Sequence, residues 1–439
     1  MSHARLLLVA LICASPAVLL FDGPIARGLV AGVTAIGLFI LLRTMRPGET
    51  SFFLSTTRTV AFFAAIPAIW MLLQVIPLGV LTNPIWNSAA TAMGHRIAGA
   101  ISIDIGAGVI ALGQYITLIA ISILSAAVAV DRQRAEWTLF SLMAATTVVA
   151  LGVLVSDFFD AKDASDGGIS LTRAQALDCA ALGVIFAGAT AIRTLERYET
   201  RRAHPDRSVP LLMVSFACCA AALVICVAAL ALNAKATVLV ATAYGAGALG
   251  AVVFVRRLGL GPWGILAIVL PGVALTAFLI AGNPALGTRS FCLIFATQSS
   301  DTLTSTSQRI LADTPPWGIG AGGFSAITPI YSDISETTSQ SAEAPTAAVA
   351  AAIELGTPLL WFIAAATISA IVVLFRSSLQ RGRDSFYANA GVACLLTLLL
   401  LGFINAGLLG MGTAMITAAA VGLAFAQSRS RSLQPASNR

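Results

Sequence analysis

The sequence predicts an all-α polytopic membrane protein with about twelve transmembrane helices and one long loop late in the chain. Of its 439 residues, 58% are hydrophobic and only 10% are charged. A soluble domain of this composition would have too few polar side chains to cover its surface. The apolar residues are grouped in runs of roughly 20, the length that a helix needs to cross a bilayer, and helices satisfy their own backbone polar groups in lipid.

The predicted spans alternate with short polar or basic connections, except at one place. They lie at about 4–21, 28–42, 60–81, 107–130, 137–155, 174–192, 210–232, 236–255, 263–281, 358–375, 387–404 and 408–426. We therefore divide the chain into residues 1–281 with spans one to nine, a loop at 282–357, and residues 358–439 with spans ten to twelve and a basic tail.

The Lys and Arg residues indicate the orientation, because short cytoplasmic loops of membrane proteins are enriched in them. With the amino terminus inside, nineteen of the 26 basic residues fall in cytoplasmic segments. The other seven fall outside: Arg27, Arg96, Lys162, Arg173, Lys235, Arg289 and Arg309. Both termini are predicted to be cytoplasmic. The net charge of +6 is then explained by orientation and by anionic lipid headgroups, and no nucleic-acid partner is expected.

Neither a metal nor a disulfide framework is predicted. Six of the seven cysteines lie in or at the ends of spans, where a thiol behaves as a small apolar group, and only Cys292 lies in the long loop. The outer segments contain no cluster of His, Cys or carboxylate residues at the spacing of metal ligands.

The long loop at 282–357 is predicted to be a partly ordered lid over the outer mouth of the helix bundle, since loops of this length are either functional or disordered. Residues 285–298 are apolar enough to lie on the membrane or the protein, and 305–317 form a short amphipathic turn. An alanine-rich helix at 343–356 opens near Thr346 and is ended by a glycine. A second outer connection, 82–106, is predicted to contain an interfacial helix with Trp86 at headgroup depth.

The lid contains a glycine-rich string, "TPPWGIGAGGFSAI" at 314–327, that resembles a phosphate cradle at first sight. Glycines that bind a dinucleotide lie between a buried strand and a helix, and this sequence lacks that context, so no nucleotide cofactor is predicted. Two interpretations remain open. The string is either a tight turn packed on the membrane surface or part of a site in which nearby arginines bind a lipid diphosphate.

Four charged residues outside the cytoplasm are the candidates for substrate binding. Arg309 and Arg289 lie near the glycine string, and arginine matches phosphate oxygens with two donors. Their alternative roles are an ion pair between Arg309 and Asp313 and contact of Arg289 with the membrane interface. Asp178 lies inside a span, where an acid either pairs with a partner, for which Arg173 is available, or lines a polar cavity.

These segments together resemble the O-antigen ligase and polymerase family of bacterial envelope polysaccharide assembly. "ILADTPPWGIGAGGF" (310–324) is similar to the family's amphipathic stretch followed by proline and G-x-G-x-G-x-F. "EAPTAAVAAAIELGTPLLW" (343–361) is similar to its segment from a histidine through a helix to Glu-x-Gly and the next span. "WMLLQVIPLGVLTNPIWNSA" (70–89) and "ISID" (101–104) match patterns in related proteobacterial sequences.

The resemblance implies an enzyme in the bacterial inner membrane that acts on the periplasmic side. It would transfer a glycan from undecaprenyl pyrophosphate to a sugar or lipid acceptor, as a ligase or a polymerase, without nucleotide or metal. Loop arginines, here Arg289 and Arg309, would bind the pyrophosphate, with Arg173 and Asp178 as further substrate-binding candidates. At the position of the family's histidine this sequence has Glu343, which is the candidate catalytic base.

That departure keeps other functions open. Thr346 replaces the family's usual asparagine, and the outer segment 156–172 is acidic where many members have a polar segment. A relative without catalysis, working as a partner of polysaccharide assembly proteins, is therefore one alternative. A transporter of twelve helices is the other, although the two halves of the chain show no clear repeat and the longest loop follows span nine.

Overall fold

A computed structural model describes most of the chain. The described residues are 2–44, 47–77, 82–95, 98–159, 171–202, 209–258, 291–293, 296, 301–331, 344–380 and 385–428. All regular secondary structure among them is helical, so the predicted all-α class is confirmed.

Fifteen α-helices follow one another in the described residues. The first nine are α1 (Ser2–Leu20), α2 (Pro24–Thr44), α3 (Pro47–Val75), α4 (Ile85–Met93), α5 (Ile105–Val128), α6 (Arg132–Phe159), α7 (Leu171–Arg202), α8 (Val209–Asn233) and α9 (Ala236–Leu258). The others are α10 (Asp301–Asp313), α11 (Phe324–Tyr331), α12 (Ala347–Glu354), α13 (Thr357–Gln380), α14 (Ser385–Ile404) and α15 (Met411–Ala426). Short 3-10 turns lie at Phe291–Leu293 and Gly407–Leu409.

Within the described residues, nine helices are long and apolar enough to cross a membrane, and two shorter apolar helices are Val60–Val75 and Met411–Ala426. The protein is therefore a multi-pass membrane protein. The ninth predicted span, 263–281, lies outside the described residues.

At two boundaries the described helix falls three or more residues short of the predicted span. Helix α3 ends at Val75 instead of 81, because Pro77 has no amide to continue the helix. The last span begins at Met411 instead of 408, because the 3-10 turn Gly407–Leu409 replaces its first turn.

Helix α7 is the central helix of the bundle. Within its membrane-spanning stretch, Thr172–Tyr198, 83% of the residues in an apolar segment of 18 residues are buried inside the protein. It packs against α6, α8, α9 and α14. Since most of its surface faces protein and not lipid, polar side chains on α7 must find partners within the bundle.

The described residues of the long loop pack as a compact layer, which we call the lid and define as residues 291–293, 296, 301–331 and 344–356. It has an apolar core formed by Leu293, Ile310, Ile319, Phe324, Val349 and Ile353, among others. Of the segment 285–298, which was predicted to lie on membrane or protein, the described residues Cys292, Leu293 and Ala296 pack in this core. In place of the amphipathic turn expected at 305–317 there is a helix, α10, which starts earlier, at Asp301, and ends at Asp313. The start of α12 is as predicted, because the Thr346 hydroxyl accepts a hydrogen bond from the Val349 amide at 3.1 Å.

The lid covers one end of the bundle, where α3, α14 and the turn after α14 end and where α5 and α13 begin. Helix α12 contacts α13, α14 and the Gly407–Leu409 turn. A basic cluster of Arg193 and Arg197 around Glu136 lies toward the other end of α7. Arg193 follows Asp178 by fifteen residues, which corresponds to about 22 Å along the helix.

Candidate functional site

Two side chains on one face of α3 fasten the lid to the bundle. The indole of Trp70 donates a hydrogen bond to the Leu355 carbonyl at 2.9 Å. One turn later, the Gln74 amide donates to the carbonyls of Trp317 and Glu354 at 3.1 and 3.0 Å. Because residues four apart lie on the same face of a helix, the W-x-x-x-Q spacing places both donors against the same edge of the lid.

The glycine string is hydrogen-bonded through its backbone on both sides. The amides of Ile319 and Gly320 donate to the carbonyls of Ile353 and Glu354, both at 3.0 Å. The carbonyl of Ile319 accepts the amide of Ile103 at 2.9 Å. The string therefore joins the end of α12 to the segment that precedes α5.

Two glycines in this junction are required by both conformation and space. Gly320 has φ +105° and its Cα faces Ser102, so that an added Cβ would lie 2.5 Å from the Ser102 Cα. Gly356 has φ +95°, and its Cβ would lie 2.9 Å from the Trp317 carbonyl carbon. Only glycine adopts such angles without strain while allowing two backbones to approach this closely.

The amides at the end of the string face a carboxylate of the same chain. Oε1 of Glu354 accepts the Phe324 amide at 3.3 Å, and the Gly322 amide also donates to this carboxyl group. Glu354 is half-buried. Burial raises the pKa of Glu354, and the two amide hydrogen bonds lower it by less. A carboxyl group of the same chain thus lies where a phosphate cradle would hold its anion.

Beside this junction, an apolar groove of about 390 Å³ opens between α3 and α13 under the turn at Pro316 and Trp317. Its lining residues are Ile66, Trp70, Pro316, Trp317, Leu355, Pro358, Leu359 and Phe362. The ring of Phe362 also stacks on Phe63 at a centroid distance of 6.0 Å, which extends the apolar surface along the two helices.

Arg309, one of the predicted substrate-binding residues, is exposed on α10. It forms no ion pair or hydrogen bond with any described residue. The alternative pairing with Asp313 is absent, and the Asp313 carboxylate accepts the hydroxyl of Tyr331 at 3.0 Å. The guanidinium of Arg309 therefore retains its donors for another partner.

Of the roles left open for Asp178, a pairing with Arg173 is not found: each of the two residues has another partner. Asp178 is fully buried, and its Oδ1 accepts the side-chain amide of Asn405 at 2.7 Å. Arg173 is exposed and donates to Oδ1 of Asn233 at 2.6 Å. The reason is helical geometry: residues five apart are separated by about 140° around an α-helix and point away from each other.

Asp178 is connected to the lid through its partner Asn405. The Asn405 carbonyl accepts the amide of Ala347, the first residue of α12, at 2.9 Å. The hydroxyl of Thr346 donates to the Cys292 carbonyl at 3.4 Å, which joins the two ends of the lid at this point. A buried polar path thus runs from the centre of the bundle to the start of α12.

The predicted site is only partly brought together. Glu343 and Arg289 lie outside the described residues. In the described part of the chain, no hydrogen bond or ion pair joins Arg309, Arg173 and Asp178 to one another. No group of three or more His, Cys, Asp or Glu residues there is arranged to bind a metal ion.

Sequence reasoning missed Asn405 and the role of Glu354. Asn405 is 227 residues from Asp178 in the sequence, and no local pattern marks it as a partner. Glu354 could have been found, because it is the acid at the end of the apolar alanine-rich run, just before a glycine.

No model of a known protein family matches this chain. A search of curated proteins likewise finds no match.

Proposed function

We propose that this protein is a glycosyltransferase of the bacterial inner membrane that takes a glycan from undecaprenyl pyrophosphate and transfers it to a sugar or lipid acceptor. The reaction takes place on the periplasmic side, under the lid, with both termini in the cytoplasm. It uses neither nucleotide nor metal. The enzyme is a ligase or a polymerase according to the acceptor that it uses, and the product shows which.

The apolar groove under the lid is the observation that carries this proposal. It lies between two helices of the membrane bundle and is covered by Pro316 and Trp317 from the lid. Trp317 is 37% exposed, as expected for a tryptophan at the membrane interface. A polyprenyl chain in this groove would leave lipid for an equally apolar surface, and its diphosphate would come to lie at the height of the lid.

The lid supplies the charge that such a substrate needs. Arg309 is exposed and has no partner in the described residues. Arginine binds phosphate oxygens with two donors, and cations at the leaving diphosphate stabilise the charge that develops as the glycosidic bond breaks. Arg289 is the second cation, and Glu343 is the base that accepts the proton of the acceptor hydroxyl.

Binding tests the groove. The full chain in lipid nanodiscs is titrated with undecaprenyl diphosphate and with undecaprenol. Leu359→Trp fills the groove and should weaken both ligands by about tenfold. Ile368→Trp, on the exposed side of the same helix, is the matched control and should bind normally. Arg309→Gln should weaken the diphosphate alone. Equal binding by Leu359→Trp and the unmodified protein would exclude the groove.

Product analysis tests the chemistry. Glu343→Gln should abolish glycan transfer while leaving undecaprenyl diphosphate binding intact. The length and attachment of the glycan formed by the unmodified protein then distinguish polymerase from ligase. Unchanged product from Glu343→Gln would remove this residue from the mechanism.

A non-catalytic relative is the second candidate, because Glu343 and Thr346 occupy the positions of the family's histidine and asparagine. Such a protein would bind the lipid-linked glycan and assemble with an active enzyme. Co-purification with a polysaccharide polymerase, together with the absence of transfer by the isolated chain, would identify it.

A further inference from the structure

Two buried oxygen atoms on one face of α7 have no hydrogen-bond donor among the described residues. They are Oδ2 of Asp178 and Oε1 of Gln175, and we call them the orphan oxygens. Asp178 is fully buried, and Gln175 is 2% exposed. Residues three apart lie on the same face of a helix, with their Cβ atoms about 5–6 Å apart. The orphan oxygens therefore belong to the same place in the bundle.

The turn between α14 and α15 closes this place from the opposite side. A Cβ added at Gly407 would collide with Oδ2 of Asp178, and a Cβ added at Gly410 would collide with the side-chain amide of Gln175. The Gly410 amide donates to the Gly407 carbonyl at 3.4 Å, so the two glycines belong to one hydrogen-bonded turn. Both orphan oxygens thus face the backbone of a single turn.

The groups around the orphan oxygens do not supply the missing donor. The Gly407 amide donates to Oδ1 of Asn405 at 2.9 Å, and the Leu409 amide donates to the Ala406 carbonyl at 2.9 Å. At the start of α15, the Thr413 hydroxyl donates to the backbone carbonyl of Gln175 at 3.3 Å. These N–H and O–H groups are therefore used elsewhere.

No cation pairs with Asp178 either. On the described side chains of the lid-side halves of α7 and of the helices packed against it, the charged residues besides Asp178 are Arg173 and Lys235, just before α9. Both are exposed, and neither forms an ion pair with Asp178. The other titratable residues there are Cys13, Cys179, Cys226, Tyr244 and Cys394. A carboxylate at Asp178 would be a buried charge within a membrane helix with a single donor, which is costly.

We propose that Asp178 binds a proton on Oδ2 and that the resulting hydroxyl donates a hydrogen bond to Oε1 of Gln175. A protonated carboxyl group has one O–H donor and keeps its acceptor capacity. One proton therefore gives both orphan oxygens a partner and removes the buried charge. Oδ1 of Asp178 remains the acceptor of the Asn405 amide at 2.7 Å. This proton site does not depend on the proposed function.

The proton completes a chain of hydrogen bonds from α7 to the lid. The chain begins at Gln175, passes through the two oxygens of Asp178 to the side chain of Asn405, and ends where the Asn405 carbonyl accepts the Ala347 amide at 2.9 Å. With Asp178 ionised, its Oδ2 would face the Gln175 oxygen without a hydrogen between them, and the two acceptors would repel each other. The neutral acid is thus the form that fits this junction.

Infrared difference spectroscopy detects this proton directly, because the carbonyl stretch of a protonated carboxylic acid is separate from the bands of a carboxylate. The full chain is measured at pH 7 in a detergent without ester groups and compared with Asp178→Asn. The unmodified protein should show a carboxylic acid band that is missing from Asp178→Asn. In Gln175→Met the band should remain but move, because the hydroxyl has lost its acceptor. Glu354→Gln is the control for an acid in the lid and should keep the Asp178 band.

Thermal unfolding provides a second measurement. Asparagine is neutral and nearly the same shape as a protonated aspartic acid, and its amide can donate to Gln175 while its oxygen accepts from Asn405. Asp178→Asn should therefore melt within about 2 °C of the unmodified protein. Asp178→Leu should melt at a clearly lower temperature than Asp178→Asn, because the Asn405 amide and the Gln175 oxygen then both lack a partner.

Three results would overturn the proposal. If the unmodified protein has no carboxylic acid band, or Asp178→Asn retains it, Asp178 is ionised and the Gln175 amide is rotated to present its nitrogen as the donor. If Asp178→Asn melts as low as Asp178→Leu, a neutral side chain does not fit the site. If sodium in place of choline stabilises the unmodified protein but not Asp178→Asn, a metal cation and not a proton is bound there.

Discussion

Asn405 joins the buried carboxyl group of Asp178 to the lid. Its side-chain amide donates to Asp178 Oδ1 at 2.7 Å, and its backbone carbonyl accepts the first amide of α12 at 2.9 Å. Asp178 Oδ2 has no hydrogen-bond partner among the described residues. Asn405 is therefore the donor on which this intramembrane acid depends, and the acid in turn fixes the rotamer of a residue that supports the lid.

We expect Asn405→Leu to destabilise the protein strongly. The substitution leaves a fully buried carboxyl group without its donor, which costs about 3 kcal/mol. Thermal unfolding in detergent measures this loss. The matched control is Asn389→Leu on α14, the helix that ends just before Asn405: Asn389 donates to the Leu249 carbonyl at 3.0 Å, but its own Oδ1 has no partner among the described residues. Its replacement should cost about 1 kcal/mol or less, and equal losses would contradict the special role of Asn405.

Gly320→Ala should detach the glycine string from the segment before α5. The new Cβ would collide with Ser102, and the positive φ adds strain of about 1–2 kcal/mol. Limited proteolysis should then cut the lid while the membrane helices stay intact. Gly247→Ala on α9 provides the comparison, because no atom lies within 4 Å of its added Cβ. A variant at Gly320 that resists protease like the Gly247 variant would show that the junction tolerates a side chain.

Gln74→Leu should loosen the lid without disturbing the bundle. Gln74 is fully buried and donates to the carbonyls of Trp317 and Glu354. The Glu354 carbonyl keeps its bond from Gly320, so the cost falls mainly on the Trp317 carbonyl and should be about 1–2 kcal/mol. The measurement is the fluorescence of the lid tryptophan during denaturation. Gln74→Glu should be worse, since its carboxylate would face two carbonyl oxygens, and a harmless Gln74→Glu would contradict this assignment.

The membrane-spanning helices were predictable because each one is marked by a long apolar run in the sequence. The start of α12 was predictable because Thr346 is a local capping residue. The partner of Asp178 was not predictable, because the choice between Arg173 and Asn405 depends on which helices pack together. Helix geometry alone disfavours Arg173 as the partner, since five residues turn a helix by about 140°.

The lid junction shows a different limit. The spacing of Trp70 and Gln74 was recognised as part of a sequence pattern, but its physical purpose appears only when both side chains meet carbonyl groups about 280 residues further on. The glycine string likewise left two interpretations open, because a sequence does not show which anion its amides face. In the described residues they face Glu354.

The stability of the protein should depend on pH through Glu354. Because its pKa is raised in the folded state, its stabilising contribution is complete below about 4.3 and is lost as pH rises through the folded value. Glu354→Gln should therefore be at least as stable as the unmodified protein at pH 7, and the difference should shrink at pH 4. Thermal unfolding of both proteins at pH 4 and pH 7 tests this. If the stability of Glu354→Gln relative to the unmodified protein falls between pH 4 and pH 7, the predicted direction of the pH effect is wrong.

Glu136→Gln should be one of the most destabilising substitutions at the end of the bundle away from the lid. Glu136 lies on α6 and contacts the end of α7. Glu136 forms ion pairs with both Arg193 and Arg197, and Arg193 is only 3% exposed. The guanidinium of Arg193 also lies 5.6 Å from the ring centroid of Phe140 and 5.9 Å from that of Phe386. Without the carboxylate, a buried charge is left unpaired, which costs about 3–5 kcal/mol.

We attribute this loss of stability to the burial of Arg193 and not to the number of ion pairs. Variants of the cluster can distinguish these two explanations. Arg197 is 38% exposed, so Arg197→Ala should cost less than about 1 kcal/mol. Asp131→Asn, which breaks an exposed pair with Arg134, should have a similarly small effect. Replacing Arg193 and Glu136 together by leucine should recover most of the stability lost in Glu136→Gln, because the buried charge is then removed with its partner. If the double variant unfolds as easily as Glu136→Gln, the ion pair contributes through specific geometry and not through the burial of Arg193.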